Sequence, residues 1–546
     1  MLDWPDLVTV VFTVWLLWPQ RLAGYGLGHD MVFTPNQPLN AGSVGLGSTP
    51  PRAVPLDALV ALTSRVLGGE ITGRIALTVP LLLVGWGAVR LADQLHQLVW
   101  PARLLIAGFA VWNPFVVERL ALGQWALLWC YGALPWLIRA AGRRSWTGLV
   151  LALAACAITP TGAVIGAVVA VVTGWSALSD HVGRVRLVGL AVLVQLPWLL
   201  PAVTSASNAT SDPRAVAAFA ARSERPGGAV FSLLGLGGIW SADVTPGSRA
   251  GGLGYLTTIA VLVAVLAGAR FLPSRLNVLA AVGFVLAVLA TVPGGAAVVR
   301  WLVGHVPGAG LLRDGQKWLL PTVLVAVLAL GLALDRLLGL LTERLSTPAW
   351  ALAGVVAAVL PLLLLPDGPA TLKTPLTPVE YPSGWRQVAQ QVKDTKQTVL
   401  VLPFASYRSF AWAPGRSVLD PAPRLLDAPV LVDDQLVVGA EVITGEDPAV
   451  ENYLKHPNDL AGQGIGWVVV ERDTPGPTPT DLSRLTKVVD ADGVQLYRVP
   501  GPIHAPPGDR GRAILVITVD LLIALLVLLA TLWKAGVSMS RLREDQ

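Results

Sequence analysis

The sequence predicts a polytopic α-helical membrane protein with about 12 transmembrane helices and a small α/β extracytoplasmic domain before the last helix. Three observations predict it. Hydrophobic residues fill 53% of the 546 positions and charged residues only 14%, whereas a soluble domain carries roughly a quarter charged residues. The mean hydropathy is +0.61. The apolar residues also gather into runs near the roughly 20 residues that a helix needs to cross a bilayer.

Those runs centre on residues 6–20, 74–93, 101–117, 122–139, 146–159, 162–177, 185–203, 252–270, 276–294, 317–335, 348–366 and 513–534. The fifth and sixth are short and break at Thr159-Pro160-Thr161-Gly162, as a tight hairpin or a re-entrant pair would. The first has Asp3 and Asp6 around its start and no A-x-A cleavage site after it, so it reads as a retained helix and not a signal peptide.

Orientation follows from the positive charges. One set of alternate loops holds Arg90, Arg103, Arg139, Arg143, Arg144, Arg184, Arg186, Arg270, Arg275, Arg336 and Arg344, and the tail adds Lys534, Arg541 and Arg543. The positive-inside rule places this set and both termini in the cytoplasm of a plasma-membrane protein. The long loops 21–73, 113–122, 203–251, 295–317 and 367–512 then face outward. The expected organisation is a multi-span module at 1–366, the outer α/β domain at 367–512, and a last helix with its tail at 513–546.

Residues 380–500 change character. Gly384 to Val388 opens a polar helical stretch, and Thr398 to Pro403 and Trp467 to Glu471 read as buried strands. Lys487-Val488-Val489 and Gln495 to Val499 flank Asp490-Ala491-Asp492-Gly493, a hairpin signal. Leu56 to Leu67, entered through Val54-Pro55, reads as an amphipathic interfacial helix.

Chemistry is sought in the outward loops. Gly28-His29-Asp30-Met31 puts a carboxylate a few residues beyond the first span, where it could serve as a general base or as a loop cap. His29 would orient that base or be a solvated histidine. In Trp112 to Gln124, Asn113-Pro114 stops a helix and places Glu118 and Arg119 at the membrane surface, as a site or as a structural pair. Arg313-Asp314-Gly315-Gln316-Lys317 precedes a span. Its cations could hold a phosphate by charge-assisted bonds or snorkel to lipid headgroups. Arg214, Arg222 and Arg225 are further cations of this kind. Asp520 lies inside the last span, as a functional group or as a buried bond locking that helix to the bundle.

Other classes are excluded or weakened. Cys130 and Cys156 both sit in apolar segments, so there is no disulfide framework or thiolate metal site. No basic stripe with interleaved aromatics suggests nucleic acid. There is no P-loop, and Gly42 to Gly47 follows no strand and opens no helix. Apart from Asp520 the span centres are nearly free of charge and no inverted repeat appears, which weakens an ion-coupled transporter. Many of the 20 Trp residues lie at span ends, as in an aromatic belt.

With its even set of spans, acidic first loop, interfacial helix and outer C-terminal domain, the chain resembles the GT-C glycosyltransferases. It is most similar to the actinobacterial envelope arabinofuranosyl- and mannosyltransferases. The motifs that carry the resemblance are Gly28-His29-Asp30, Asn113-Pro114-Phe115 with Glu118 and Gln124, and Arg313 to Lys317. The resemblance implies a polyprenyl-phosphate sugar donor, an envelope glycan or glycolipid acceptor, and Asp30 as base with His29 beside it. Many family members carry a second acidic residue where this chain has His29. A polyprenyl-phosphate leaving group is already anionic, so one base with cationic stabilisers is a sufficient set. Arg313, Lys317 and Arg119 are expected at the donor phosphate, with Glu118, Gln124, Asp314 and Gln316 as neighbours. Tyr407, Arg408 and Trp412 of the outer domain are expected at the acceptor. No organic cofactor is implied and no metal-ligand spacing appears, while a loosely held divalent cation stays compatible with the loops. Two alternatives remain: a lipid or glycolipid flippase, and a non-catalytic envelope-assembly protein.

Overall fold

A computed structural model describes residues 3–47, 53–205, 211–341, 344, 346–438, 441–443, 445, 447–476, 478, 480–503 and 509–544. Among the described residues six helices are long and apolar enough to cross a membrane: Gly69–Leu95, Trp100–Ala121 (broken at Asn113), Gly252–Ala269, Gly315–Leu341, Thr347–Leu364 and Arg510–Val537. The count becomes eight if two bent pairs are each one span. These are His181–Leu193 with Leu196–Thr204, bent by 55°, and Ser274–Leu289 with Pro293–His305, bent by 88°.

The expected count of about 12 is therefore not reproduced by length and composition. Trp4–Leu16, Trp146–Cys156 and Pro160–Trp175 are helical and apolar but short. At 1.5 Å per residue they do not cover about 30 Å of hydrocarbon alone. Cys130 and Cys156 are free and buried, packed as small hydrophobes.

The helix expected at the membrane interface forms at Leu56–Leu67. It buries Val60, Ala61 and Ser64 on one face and leaves Leu59, Leu62 and Val66 exposed on the other. Asp57 in its first turn and Arg65 in its last complement the helix dipole.

The α/β module is built on a mixed five-stranded sheet. Its strand order is Thr486–Ala491, Val494–Arg498, Ile465–Glu471, Thr398–Leu402, Val430–Leu431. The first two pairings are antiparallel and the last two parallel. Strand alternation divides the apolar residues between two cores. Val399, Val401, Trp467 and Val469 pack with Trp385 and Val388 of the helix Ser383–Val392. Leu400, Leu402, Val468 and Val470 pack with Val450 and Tyr453 of the helix Pro448–Lys455. Asp492 and Gly493 both have positive φ, 47° and 78°. They form the two-residue loop whose twist suits a hairpin.

The trailing helix Arg510–Glu544 packs on Trp146–Cys156 and Leu196–Thr204. The expected buried bond at Asp520 is not found: among the described residues its Oδ1 is buried without a hydrogen-bond partner. The helix is anchored instead by Arg512, which donates to Gly45 O at 2.7 Å, Thr204 Oγ1 at 3.2 Å and Pro201 O at 3.4 Å.

Candidate active site

His29 and Asp30 form the turn of a small hairpin, with Leu27 opposite Val32 and Gly28 opposite Met31. Two other segments clasp this turn. On one side Asp30 N donates to Leu122 O at 3.1 Å. Gly123 lies against the hairpin at φ +78°, and a Cβ there would stand 2.3 Å from Met31 N and 2.4 Å from Gly28 O. Only glycine permits that approach, and it delivers Gln124 to Asp30. On the other side the α/β module supplies Ser417 O, which accepts from His29 N at 3.1 Å, and Leu419 N, which donates to His29 O at 2.9 Å. Tyr407–Arg408 pairs antiparallel with Val418–Leu419, so Tyr407 is carried to the same turn.

Both Asp30 oxygens receive donors. Gln124 Nε2 donates to Oδ2 at 2.9 Å, and the Tyr407 hydroxyl donates to Oδ1. Burial first, and then the Asp30 charge, push the Tyr407 phenol well above its ordinary range, so it stays a donor. Burial pushes the His29 imidazole below its ordinary value, against the pull of Asp30 and Asp243.

The network continues behind Gln124. Arg119 Nη1 donates to Gln124 Oε1, and Arg119 grips Asp314 with two nitrogens, at 2.9 and 3.1 Å. Lys317 Nζ stands 3.5 Å from the same carboxylate. Burial raises the Asp314 carboxyl, but the charges of Arg119 and Lys317 outweigh it and hold the group down at about 2.

A second buried cluster adjoins this one. Glu118 Oε2 accepts from Gln316 Nε2 at 2.7 Å and from Ile239 N at 3.2 Å, while its Oε1 has no partner among the described residues. Nearby, Glu224 is paired with Arg225 at 3.1 Å and with Arg249 at 2.9 Å.

A cavity of about 1970 Å³ opens over the first network. His29, Asp30, Gln124, Arg313, Asp314 and Lys317 line it, and Tyr407, Asp420 and Arg424 close it from the α/β module. Lys317 is partly exposed there, and the Arg313 guanidinium lies 5.1 Å from the centre of the Phe219 ring. Among the described residues no group of three His, Cys, Asp or Glu is placed to hold a metal ion.

Several expectations are corrected. The second loop is not at a surface: Pro114–Ala121 is a fully buried helix, capped by Asn113 accepting from Val116 N. Glu118 and Arg119 do not pair with each other. Each is 0% exposed because it found a partner elsewhere. Arg119 lies outside the cavity wall with its terminal nitrogens committed, so it buttresses the site and does not face a donor phosphate. Glu118 and Gln316 likewise lie outside the wall. Arg408 is buried between Asp420 at 2.9 Å and Glu471 at 3.1 Å, and Trp412 stacks on Phe410. Neither reaches the cavity. Arg225 is buried with Glu224, and Arg214 is paired with Asp212 at 2.7 Å. Glu224 and Arg249 were not singled out from sequence. The charges Glu224, Arg225 and Arg249 in a loop between apolar runs were the available signal.

Comparison with known proteins gives the fold its context. No protein-family model matches the chain, and no curated protein does. Solved structures do match. The cryo-EM structure of the arabinofuranosyltransferase AftD from Mycobacteria has a TM-score of 0.55 at 18% identity, covering 92% of this chain and 40% of that one. A second cryo-EM structure, of an AftD mutant from Mycobacteria, has a TM-score of 0.54 at 17% identity, covering 92% and 42%. The chain therefore spans about two fifths of the length of the AftD chains it matches, and over nearly all of its own length it shares their fold.

Proposed function

We propose that the chain is a membrane glycosyltransferase that moves a sugar, arabinofuranose or mannose, from a polyprenyl-phosphate donor to an envelope glycan or glycolipid on the outer face of the plasma membrane. One observation carries the reading: a doubly hydrogen-bonded carboxylate, Asp30, shares a large cavity with the cations Arg313 and Lys317. The likeness in fold to an arabinofuranosyltransferase supports it.

The reaction is an inverting displacement. Asp30 takes the proton of the acceptor hydroxyl as its oxygen bonds to the anomeric carbon. The bond from that carbon to the donor phosphate breaks, and its electron pair leaves on the phosphate. Arg313 and Lys317 stabilise that charge. The prenyl chain lies along the apolar spans, and the α/β module faces the acceptor across the cavity. Arg119 and Asp314 act at one remove, by fixing Gln124 and Lys317.

The experiment is sugar transfer by the purified chain reconstituted in lipid, with polyprenyl-phospho-arabinose and polyprenyl-phospho-mannose offered separately. Transfer from one donor is expected. Binding or translocation of a polyprenyl-linked sugar without any transferred product would favour a flippase instead.

A further inference from the structure

We propose that Tyr407 is a positioning residue for the Asp30 base, so that the α/β module completes the catalytic apparatus as well as facing the acceptor. This rests on the reading of Asp30 as the base.

Tyr407 is placed by its neighbours. Ser406 Oγ donates to Gln435 O at 2.8 Å and Ser406 O accepts from Asp420 N at 2.9 Å. Arg408 is fixed by Asp420 and Glu471. Both residues flanking Tyr407 are thus pinned to the module, and the module is pinned to the hairpin turn through His29. The phenol has a single O–H, and that donor is committed to Asp30 Oδ1. It therefore has no proton left to offer an acceptor sugar.

With Gln124 on the other oxygen, two donors fix the plane of the carboxylate. Each oxygen keeps a further lone pair, and Asp30 lines the cavity where a hydroxyl would approach. Among the described residues the other charged and titratable groups around this pair are His29, Asp243, Arg313, Lys317, Arg416 and Arg424.

The test uses the full chain in lipid, as wild type, Asp30→Asn, Tyr407→Phe and the double variant. Melting temperatures at pH 7 come first, because they need no substrate. The double variant is expected to melt no lower than the worse single variant, since either change removes the charge-assisted bond between the phenol and the carboxylate. Strictly additive losses would overturn the pairing. Transfer kinetics come second. Tyr407→Phe should lower kcat about tenfold or more with little change in the acceptor KM. A raised acceptor KM with an unchanged kcat would overturn the proposal and make Tyr407 an acceptor contact. A wild type that transfers no sugar would refute the glycosyltransferase reading, while the melting cycle would still decide whether Tyr407 and Asp30 act as one unit.

Discussion

Asp314→Asn probes the latch behind the site. The substitution keeps the shape and removes the charge that Arg119 grips with two nitrogens and Lys317 approaches at 3.5 Å. Two estimates of its cost agree in scale. Removing one partner of a buried ion pair costs about 3–5 kcal/mol, because the other charge is left uncompensated. Arg119 is such a charge, with a side chain 0% exposed. Linkage gives the other. The Asp314 carboxyl is held at about 2 against an ordinary 3.8, worth about 2.5 kcal/mol at neutral pH. Because the folded-state value is depressed, that stability is present above pH 4 and is lost as pH falls toward 2, so the substitution should be tested near pH 7. Thermal unfolding followed by tryptophan fluorescence should show a melting temperature lower by about 5 °C or more. Replacing both partners, as Arg119→Met with Asp314→Leu, should recover much of the loss, since buried pairs exchange for apolar groups at little cost. An Asp314→Asn protein that melts within about 1 °C of wild type would refute the latch.

Two further predictions follow from the same geometry. Lys317→Ala should weaken binding of the polyprenyl-phosphate donor about tenfold or more, the size of one charge-assisted bond, while unchanged donor affinity would remove Lys317 from the phosphate site. In the α/β module, burial pushes Glu471 up to about 8, against the pull of Arg408. Folding therefore retains a proton between the ordinary 4.5 and about 8, and stability should fall as pH rises through that window. Glu471→Gln should flatten this decline, and equal pH slopes for the two proteins would contradict it.

Much of the fold was legible because its signals are local. The helix Leu56–Leu67 follows from periodicity and has the ends expected of it. The Asp-Gly dipeptide marks the hairpin at Asp492-Gly493, since few residues accept positive φ twice in succession. The strands Thr398–Leu402 and Ile465–Glu471 are continuous apolar runs because both faces are covered. The span count was harder, because an apolar run does not reveal where a helix bends, as at Gln195 and before Pro293.

The site divides the same way. Asp30, Gln124, Asp314 and Lys317 could be singled out as polar groups against apolar surroundings, and they do meet. Their partners could not be read. Arg119 and Asp314 are 195 positions apart, and Tyr407 and Asp30 are 377 apart. A charged pair written into one helix, Glu118-Arg119, therefore looked like a surface pair when each residue had a distant buried partner. Arg408 looked available for the same reason, before Asp420 and Glu471 were seen to enclose it.

The central claim is that Asp30 is the base of a sugar transfer. The most direct measurement is transfer from polyprenyl-phospho-arabinose and polyprenyl-phospho-mannose by the reconstituted wild type and by Asp30→Asn, with folding checked by the melting temperature. An active wild type and a folded Asp30→Asn protein slower by about 10²-fold or more are expected for loss of a general base. Full activity retained in Asp30→Asn would contradict the account and send the search for the base elsewhere along the cavity wall.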